Sequence, residues 1–259
     1  VAWGDVDGDG DLDLAVGNSG SNNEVYLNNG TALSTTPSWN SSNSLGTMSV
    51  AWGDVDGDGD LDLAMGNYGG NNEVYLNNGT GLATTPAWTS SNSLNTYSVA
   101  WGDVDGDGDL ALAMGNYGGN NEIYLNTGGQ HCPNEPISTV METPVWTSSN
   151  SLSTGSVAWG DVDGDGDLDL AVGNWGGANE VYLNNGTALA TTPAWTSSNS
   201  LETNSVAWGD VDGDGDLDLA VGNYNQSKQG NNEIYLNSGT GLATTPAWTS
   251  SNSLYTYSV

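Results

Sequence analysis

The sequence predicts an all-β protein, a β-propeller of five four-stranded blades, and three observations predict it. The block Val-Ala-Trp-Gly-Asp occurs five times, beginning at Val1, Val50, Val99, Val157 and Val206. Each copy contains four short strand-like runs separated by turn residues, and none shows the helical periodicity of about 3.6 residues. Repeats of about 40 to 50 residues with several short strands are typical of propeller blades.

The first repeat shows how each strand is predicted. Asp-Gly turns separate a first strand near 1–4 from a second near 12–17. A Gly- and Asn-containing loop leads to a third strand near 24–28, and Asn29-Gly30-Thr31 opens a longer path to a fourth strand near 38–40. Four runs in this order predict one antiparallel four-stranded blade.

We therefore predict a single propeller domain over residues 1–259. The two longer repeats gain residues in loops, around 130–142 and 225–230, where insertions leave sheets intact. The first insert is either a tolerated insertion or a surface for a partner. The alternative to a five-blade ring is a five-unit portion of a longer array or a larger ring. The predicted blades are 1–49, 50–98, 99–156, 157–205 and 206–259.

Charge and composition restrict the partners of the chain. The net charge is −31, and Lys228 is the only Lys or Arg, so nucleic acid and anionic membranes are poor partners and cations are natural ones. No apolar run approaches about 18 residues, so we expect no membrane insertion. The chain opens without Met or a signal peptide, and we expect a mature or excised segment. Regularly spaced Trp and Tyr favour a folded chain over a disordered one.

Cysteine usage excludes an internal disulfide, because Cys132 is the only cysteine. We expect a metal to stabilise the fold instead. Cys132 is then a free thiol or a link to another chain. His131 lies beside it, but one His and one Cys cannot close a metal site alone.

The segment 4–18 carries carboxylates at every second position and returns in every repeat. Five close carboxylates repel one another, and a hard divalent cation with oxygen ligands compensates them best. The first half of the loop has the Asp and Gly spacing of an EF-hand calcium loop, but Val16 stands where the bidentate Glu belongs, and strands flank the loop. Asp13 would supply the closing carboxylate instead. The alternative is a solvated acidic turn.

This loop, followed by Leu-Ala-Val-Gly-Asn, resembles the FG-GAP or VCBS repeat, and the resemblance covers the whole chain. It is similar to the calcium-bearing blades of integrin α-subunit propellers and of many secreted proteins. The resemblance implies a propeller in which the loop between the first two strands of each blade binds Ca²⁺. Integrin propellers usually have seven blades, whereas this chain has five units.

Carried over to this sequence, the resemblance implies four side-chain ligands in each complete loop and one further Asp that ligates through its backbone carbonyl. The third loop has Ala111 in place of the closing carboxylate, so we expect four or five Ca²⁺ ions, with the third site weakest. Extracellular modules bind Ca²⁺ at roughly 0.1 to 1 mM, and we expect a structural role. The side-chain ligands are Asp5, Asp7, Asp9, Asp13, Asp54, Asp56, Asp58, Asp62, Asp103, Asp105, Asp107, Asp161, Asp163, Asp165, Asp169, Asp210, Asp212, Asp214 and Asp218. The backbone ligands are Asp11, Asp60, Asp109, Asp167 and Asp216.

Aromatic residues recur at two kinds of position. Tryptophans before the acidic loops and on the fourth strands are expected to fill the space between sheets rather than to stack on sugars. A less regular series opens the loop between the second and third strands, where it could contact a glycan whose hydroxyls bond to nearby amides; the alternative is ordinary loop packing. The first series is Trp3, Trp52, Trp101, Trp159, Trp208, Trp39, Trp88, Trp146, Trp195 and Trp248. The second is Tyr68, Tyr117, Trp175 and Tyr224.

These observations predict a secreted or cell-surface, non-catalytic calcium-stabilised propeller. No poised nucleophile, acid or base stands apart from the acidic loops, so we do not expect an enzyme. The predicted task is adhesion or recognition of glycans or other surface proteins, and the alternative is a structural subunit of a self-assembling filament or matrix. Asn-x-Ser/Thr sequons that predict a glycoprotein occur at Asn29, Asn40, Asn78, Asn185 and Asn225.

Overall fold

The structure, a computed structural model, describes residues 1–126, 141, 143–224, 230–252 and 255–259. The described residues form twenty β-strands, four in each repeat, in the order that the sequence predicts. No described segment forms a helix with the length and hydropathy needed to cross a membrane. The all-β prediction is confirmed.

The strands are short, and from the second repeat onwards the first two of each repeat are the longest. The first two repeats contain β1 (Ala2–Gly4), β2 (Asp13–Val16), β3 (Glu24–Tyr26), β4 (Trp39–Asn40), β5 (Gly46–Gly53), β6 (Asp62–Tyr68), β7 (Glu73–Tyr75) and β8 (Trp88–Thr89). The third contains β9 (Thr96–Gly102), β10 (Ala111–Asn116), β11 (Glu122–Tyr124) and β12 (Trp146–Thr147). The last two contain β13 (Ser153–Gly160), β14 (Asp169–Trp175), β15 (Glu180–Tyr182), β16 (Trp195–Thr196), β17 (Glu202–Gly209), β18 (Asp218–Tyr224), β19 (Glu233–Tyr235) and β20 (Trp248–Thr249).

Each repeat folds into its own antiparallel sheet in which sequential strands are neighbours, as in β1-β2-β3-β4. The fourth and fifth sheets are joined by one additional pair, Trp175 with Glu202. Propeller blades are four-stranded antiparallel sheets of this kind. The arrangement is consistent with a β-propeller, and closure into a ring of five blades stays a prediction.

The second strand of each internal repeat is buried on both faces. In β6, six consecutive residues from Asp62 onwards are buried, and Ala64 at its centre pairs with Ala51 and Val74. A strand covered on both faces reads as a continuous apolar run instead of an alternating one. In the first sheet, β2 alternates between buried and half-buried residues, because only one of its faces is covered.

The core lies between neighbouring sheets. Fourth-strand tryptophans pack edge-on against a third-strand tyrosine of the following sheet, as Trp39 does on Tyr75 with ring centroids 5.1 Å apart. The same pair recurs as Trp88 with Tyr124. The predicted core role is confirmed for these residues. Two tryptophans depart from it and are exposed, Trp3 and Trp248.

Contacts group the chain into two compact units, and the third sheet contributes residues to both. The single domain over residues 1–259 and its blade boundaries stay predictions. The first unit consists of Val1–Trp101, Asp107–Met114 and Ile123–Val145. The second consists of Gly102–Gly106, Gly115–Glu122 and Trp146–Val259.

Candidate metal centres

An acidic loop connects the first two strands of every repeat. In the first loop Gly8 and Gly10 have φ angles of 73° and 94°, a region that favours glycine. A Cβ on either glycine would meet no heavy atom within 4 Å, so conformation rather than crowding selects glycine there. The two glycines turn the chain so that alternate carboxylates approach one another.

Five groups of three carboxylates lie within ligand distance, one in each repeat. In every group one oxygen from each residue lies within 4.8 Å of the others. A cluster of this kind could hold a metal ion, since three oxygen ligands from one loop are a typical core of a Ca²⁺ site. The groups are Asp5, Asp7 and Asp13; Asp54, Asp56 and Asp58; Asp103, Asp105 and Asp107; Asp161, Asp163 and Asp169; and Asp210, Asp212 and Asp218.

The closing carboxylate also fastens the loop to the sheet. Asp13 is buried, its Oδ2 accepts a hydrogen bond from the Val6 amide at 2.9 Å, and its Oδ1 accepts one from the Asn28 amide at 2.7 Å. Asp62 accepts the same two bonds from Val55 and Asn77. The sequence pattern predicts these residues as ligands but does not predict them as links between the loop and the end of the third strand.

Burial and mutual repulsion favour protonation of several loop carboxylates. Burial raises the pKa of Asp62 to about 7, against the two backbone hydrogen bonds that lower it, and raises that of Asp169 to about 6. Partial desolvation and neighbouring carboxylates raise the pKa of Asp7 and of Asp163. A bound cation would favour the ionised form of each of these groups.

The first Asp of a loop organises the turn around itself. Asp5 accepts hydrogen bonds from the Asp9 amide at 3.1 Å and the Gly10 amide at 2.9 Å. Predicted ligands Asp9, Asp62, Asp165 and Asp214 lie outside the three-residue groups.

The fourth Asp of the first, second, fourth and fifth loops turns its carboxylate towards a neighbouring turn. The Oδ2 atom of Asp11 lies 2.6 Å from where a Cβ on Gly30 would stand, and Asp60 lies similarly against Gly79. Asp11, Asp60, Asp109, Asp167 and Asp216 belong to none of the five groups. This placement is compatible with ligation through the backbone, which stays a prediction.

The third loop differs from the second at one residue. Residues 53–67 and 102–116 are identical except that Ala111 replaces Asp62. Ala111 is fully buried, so the position keeps its place in the sheet without a carboxylate.

Four overlapping segments match the family described as FG-GAP-like repeat, at residues 5–65, 55–114, 105–172 and 161–221. The chain belongs to the FG-GAP-like repeat family. The resemblance inferred from the acidic loops is confirmed. No curated protein is significantly similar to the chain in sequence.

Two solved structures show the same fold as this FG-GAP-like chain. One is BBS1N in complex with ARL6DN, soaked with lead, at a TM-score of 0.60 and 12% identity over 96% of this chain and 66% of that one. The other is the V. cholerae biofilm matrix protein Bap1, at a TM-score of 0.61 and 18% identity over 99% of this chain and 39% of that one. The chain therefore spans less than two thirds of either structure.

The loop aromatics of the FG-GAP-like repeats pack against one another. Trp175 stacks on Tyr224 with centroids 5.6 Å apart and an interplanar angle of 10°, and Tyr117 meets Trp175 edge-on at 6.2 Å. Tyr224 in turn contacts Tyr255 and Tyr257. The sequence interpretation missed these last two rings, which stand before the Ser-Val pair rather than in the loop.

Three of the predicted modification sites, Asn29, Asn78 and Asn185, have a common local structure. Asn29, Asn40, Asn78 and Asn185 are exposed, whereas Asn225 lies outside the described residues. In the first, the Thr31 hydroxyl donates a hydrogen bond of 2.7 Å to Asn29 Oδ1. The same bond forms at Asn78 and Asn185. His131, Cys132 and Lys228 also lie outside the described residues.

Proposed function

We propose that this chain is an extracellular, non-catalytic repeat module stabilised by Ca²⁺, with the blades of a five-bladed propeller and a task in adhesion or recognition. One observation carries the proposal: each FG-GAP-like repeat brings three carboxylates of the same loop within 4.8 Å of one another. A folded chain with a net charge of −31 requires compensating cations, and these groups are where they would bind.

Calcium suits these groups better than other common ions. The ligands are carboxylate oxygens with no sulfur or nitrogen, which favours hard cations. Ca²⁺ accepts six to eight oxygens in a flexible geometry, and a glycine-containing loop can provide several of them together with backbone carbonyls and water. In this proposal the ligands are the loop aspartates named above, with four or five ions bound.

An extracellular location follows from the same chemistry. Sites of this kind bind at roughly 0.1 to 1 mM, which requires the Ca²⁺ concentration found outside cells. Family membership and the fold shared with a biofilm matrix protein support this location. The five groups repeat with nearly the same residues, whereas catalysis needs a convergent asymmetric site.

Recognition is proposed for the end of the repeats that carries the loop aromatics. Tyr68 and Tyr117 are 49% and 38% exposed, so part of each ring is available for a ligand. Trp175 and Tyr224 are half-buried and stack on each other, so only part of each ring is exposed. A glycan with hydroxyls for the nearby Asn side chains, or a surface protein, is the proposed partner. Glycosylation of the exposed sequons is part of the same proposal.

The decisive experiment is a count of bound ions by native mass spectrometry, followed by titration with Ca²⁺ and Mg²⁺. We expect four or five Ca²⁺ and weaker binding of Mg²⁺. The matched control replaces Asp54 and Asp56 by Asn, which preserves shape and should remove one ion. Absence of bound Ca²⁺ at millimolar concentration would contradict the proposal. A glycan array then tests recognition. The Tyr68→Ala variant is compared with the wild type on the same array to test whether that ring contacts the glycan.

A further inference from the structure

The first strands of neighbouring sheets meet through one repeated contact between tryptophan and glycine. A Cβ on Gly4 would lie 2.7 Å from Cδ1 of Trp52 in the second sheet, so the indole requires glycine beneath it. The first strands are therefore in close contact, whereas two of the junctions contain a cavity beside the third and fourth strands. The other three pairs are Gly53 with Trp101, Gly102 with Trp159, and Gly160 with Trp208.

The two cavities have the same construction. One, of about 380 Å³, lies between the first and second sheets, and the other, of about 500 Å³, lies between the fourth and fifth. Each lies within one of the two compact units. Their eleven lining positions correspond one to one, and ten carry the same residue type; the exception is Ser38, whose counterpart is Ala194. Cavities of this size hold small ligands or single side chains.

The interior of the first cavity is apolar. Trp39 is buried beneath it, and Leu27 and Leu82 are half-buried at its sides. The indole N–H of Trp39 donates to the Ala83 carbonyl at 2.9 Å, and the second cavity keeps the equivalent bond. The ring therefore offers only apolar surface to the cavity, and the interior suits a hydrocarbon segment.

The rim of the cavity carries negative charge and hydrogen-bond acceptors. Asp7 is exposed at the rim. The Thr80 hydroxyl donates its hydrogen to Asn78 Oδ1 at 2.6 Å, so its oxygen is available to a ligand only as an acceptor. The adjoining loop contains five aspartates, and one Ca²⁺ would cancel only two of their charges. The rim thus stays anionic with or without the ion, which favours a cationic ligand that donates hydrogen bonds.

The described part of the chain has no cationic side chain to place at this rim. Its residues include no Lys, Arg or His, since Lys228 and His131 lie outside them. Within that part of the chain, a cationic side chain at the rim must come from another molecule.

Both cavities are bordered by a turn that contains glycine. Gly81 has a φ of 132° and its counterpart Gly241 one of 115°, and a Cβ on either would meet no heavy atom within 4 Å. The equivalent residues of the first and fourth repeats are Ala32 and Ala188, whose amides donate to a different asparagine of the turn. The two cavities therefore share a turn conformation that the alanine turns do not adopt.

We propose that each cavity binds a lysine side chain of a protein partner, with its hydrocarbon stem against the tryptophan and its ammonium group at Asp7 or, in the second cavity, Asp163. Lysine combines an apolar stem of four methylenes with a compact group that only donates. Arginine fits less well, because its planar guanidinium pairs best with both oxygens of a carboxylate. Asp7 already accepts the Asp9 amide at 3.3 Å.

These cavities are separate from the proposed recognition surface. The acidic loop joins the first and second strands, and the aromatic loop joins the second and third, so the two loops lie at opposite ends of each antiparallel sheet. The inference therefore goes beyond the proposed function and does not depend on a ligand of the aromatic loops.

The test is an NMR titration of the whole chain in saturating Ca²⁺ and about 0.15 M salt, which screens general attraction between charges. The probe is the tripeptide acetyl-Gly-Lys-Gly-amide. We expect two sites per chain and a shift of the indole N–H resonances of Trp39 and Trp195, which Trp39→Phe and Trp195→Phe identify.

Two altered probes separate the stem from the charge. The same tripeptide with 2,3-diaminopropionic acid in place of lysine keeps the ammonium group but has three fewer methylenes. The tripeptide with Nε-acetyl-lysine keeps the stem but loses the charge. Each should bind about tenfold more weakly than the lysine probe, or weaker still.

Substitutions at the cavity mouth give a matched test in the protein. Ser38→Phe should fill the first cavity and Ala194→Phe the second, so each should remove one site and leave the other. This position carries Ser, Ala or Val among the repeats and lies outside the acidic loops. Ser21→Phe, in an exposed loop at the other end of the first sheet, should leave both sites. Circular dichroism and an unchanged Ca²⁺ count show that the variants are folded, which separates this test from that of the proposed function.

Four results would overturn the proposal. No shift of either indole at millimolar probe would show that the cavities do not bind lysine. Equal binding of the lysine probe and either altered probe would show that the stem or the charge is not recognised. Binding that survives both Phe substitutions would place the site elsewhere. A neutral methyl glucoside that shifts the same two indoles at lower concentration would make the cavities carbohydrate sites.

Discussion

The second and third acidic loops form a natural comparison, because residues 53–67 and 102–116 differ only by Asp62 and Ala111. Asp62 is buried and accepts two backbone hydrogen bonds, from Val55 at 2.8 Å and Asn77 at 2.7 Å. Ala111 is equally buried but offers no acceptor. The difference teaches that the closing carboxylate has two roles, as a candidate ligand and as a link between strands, and that the fold tolerates losing both in one repeat.

The largest expected effect on stability is that of removing Ca²⁺, which tests whether the complete loops are structural metal sites. At tenfold excess over its dissociation constant each site adds about 1.4 kcal/mol, so four complete loops should add about 6 kcal/mol to the free energy of unfolding. Denaturant unfolding with Ca²⁺ and with EDTA measures this difference. Equal stability in both would mean that none of the loops is a structural metal site.

The substitution Asp62→Ala should make the second loop behave like the third. It leaves two buried amides without their acceptor, and we expect a loss of about 2 to 4 kcal/mol in stability. One bound ion should be lost or weakened at the same time. Asp60→Ala is the matched control, since the Val55 and Asn77 amides donate to Asp62 and not to Asp60, and it should change stability by about 0.5 kcal/mol or less. Equal effects of the two substitutions would refute the linking role.

The reverse substitution, Ala111→Asp, should give the third loop the ligand set of the second. We expect stabilisation of about 1 kcal/mol in millimolar Ca²⁺, where the new carboxylate gains a cation and two amide donors. In EDTA the added charge should remove this gain. Native mass spectrometry would detect the stronger third site. An unchanged ion count and unchanged affinity would indicate that the third loop is already complete without the carboxylate.

The smallest effect concerns pH and the buried Glu73, which follows the second loop in the same sheet. Burial raises its pKa, although Tyr75 and Asn43 donate hydrogen bonds to it. A raised pKa means that its stabilising contribution is full below about pH 4.5, the unfolded value, and is lost as pH rises through the folded value.

Glu73→Gln removes this titration, so the variant should gain stability relative to wild type as pH increases. Unfolding of both chains across this pH range provides the measurement, and Glu24→Gln in the first sheet is the control because no described sheet covers its outer face. A difference between Glu73→Gln and wild type that is constant with pH would exclude the effect.

Local pattern was sufficient to predict the repeats, the strand order and the five acidic groups. These features depend on residues close in sequence, such as the alternation of Asp and Gly in 4–18. The hydrogen bonds of Asp13 to Val6 and Asn28, the stacking of Trp175 on Tyr224 and the exposure of Trp3 could not be predicted, because each depends on which distant segments become neighbours. The regular spacing of Trp3 with Trp52 even predicted a core position that the structure does not give it.

The repeated glycine under each tryptophan has a consequence for how such chains change length. Because Gly4, Gly53, Gly102 and Gly160 each lie under the indole of the next repeat, neighbouring units meet through the same contact. Duplication or deletion of a whole unit therefore preserves every remaining junction, and the gene can recombine within its own repeats without new compensating substitutions. The number of units is thus a quantity that selection can adjust in single steps, much as it adjusts the length of a solenoid.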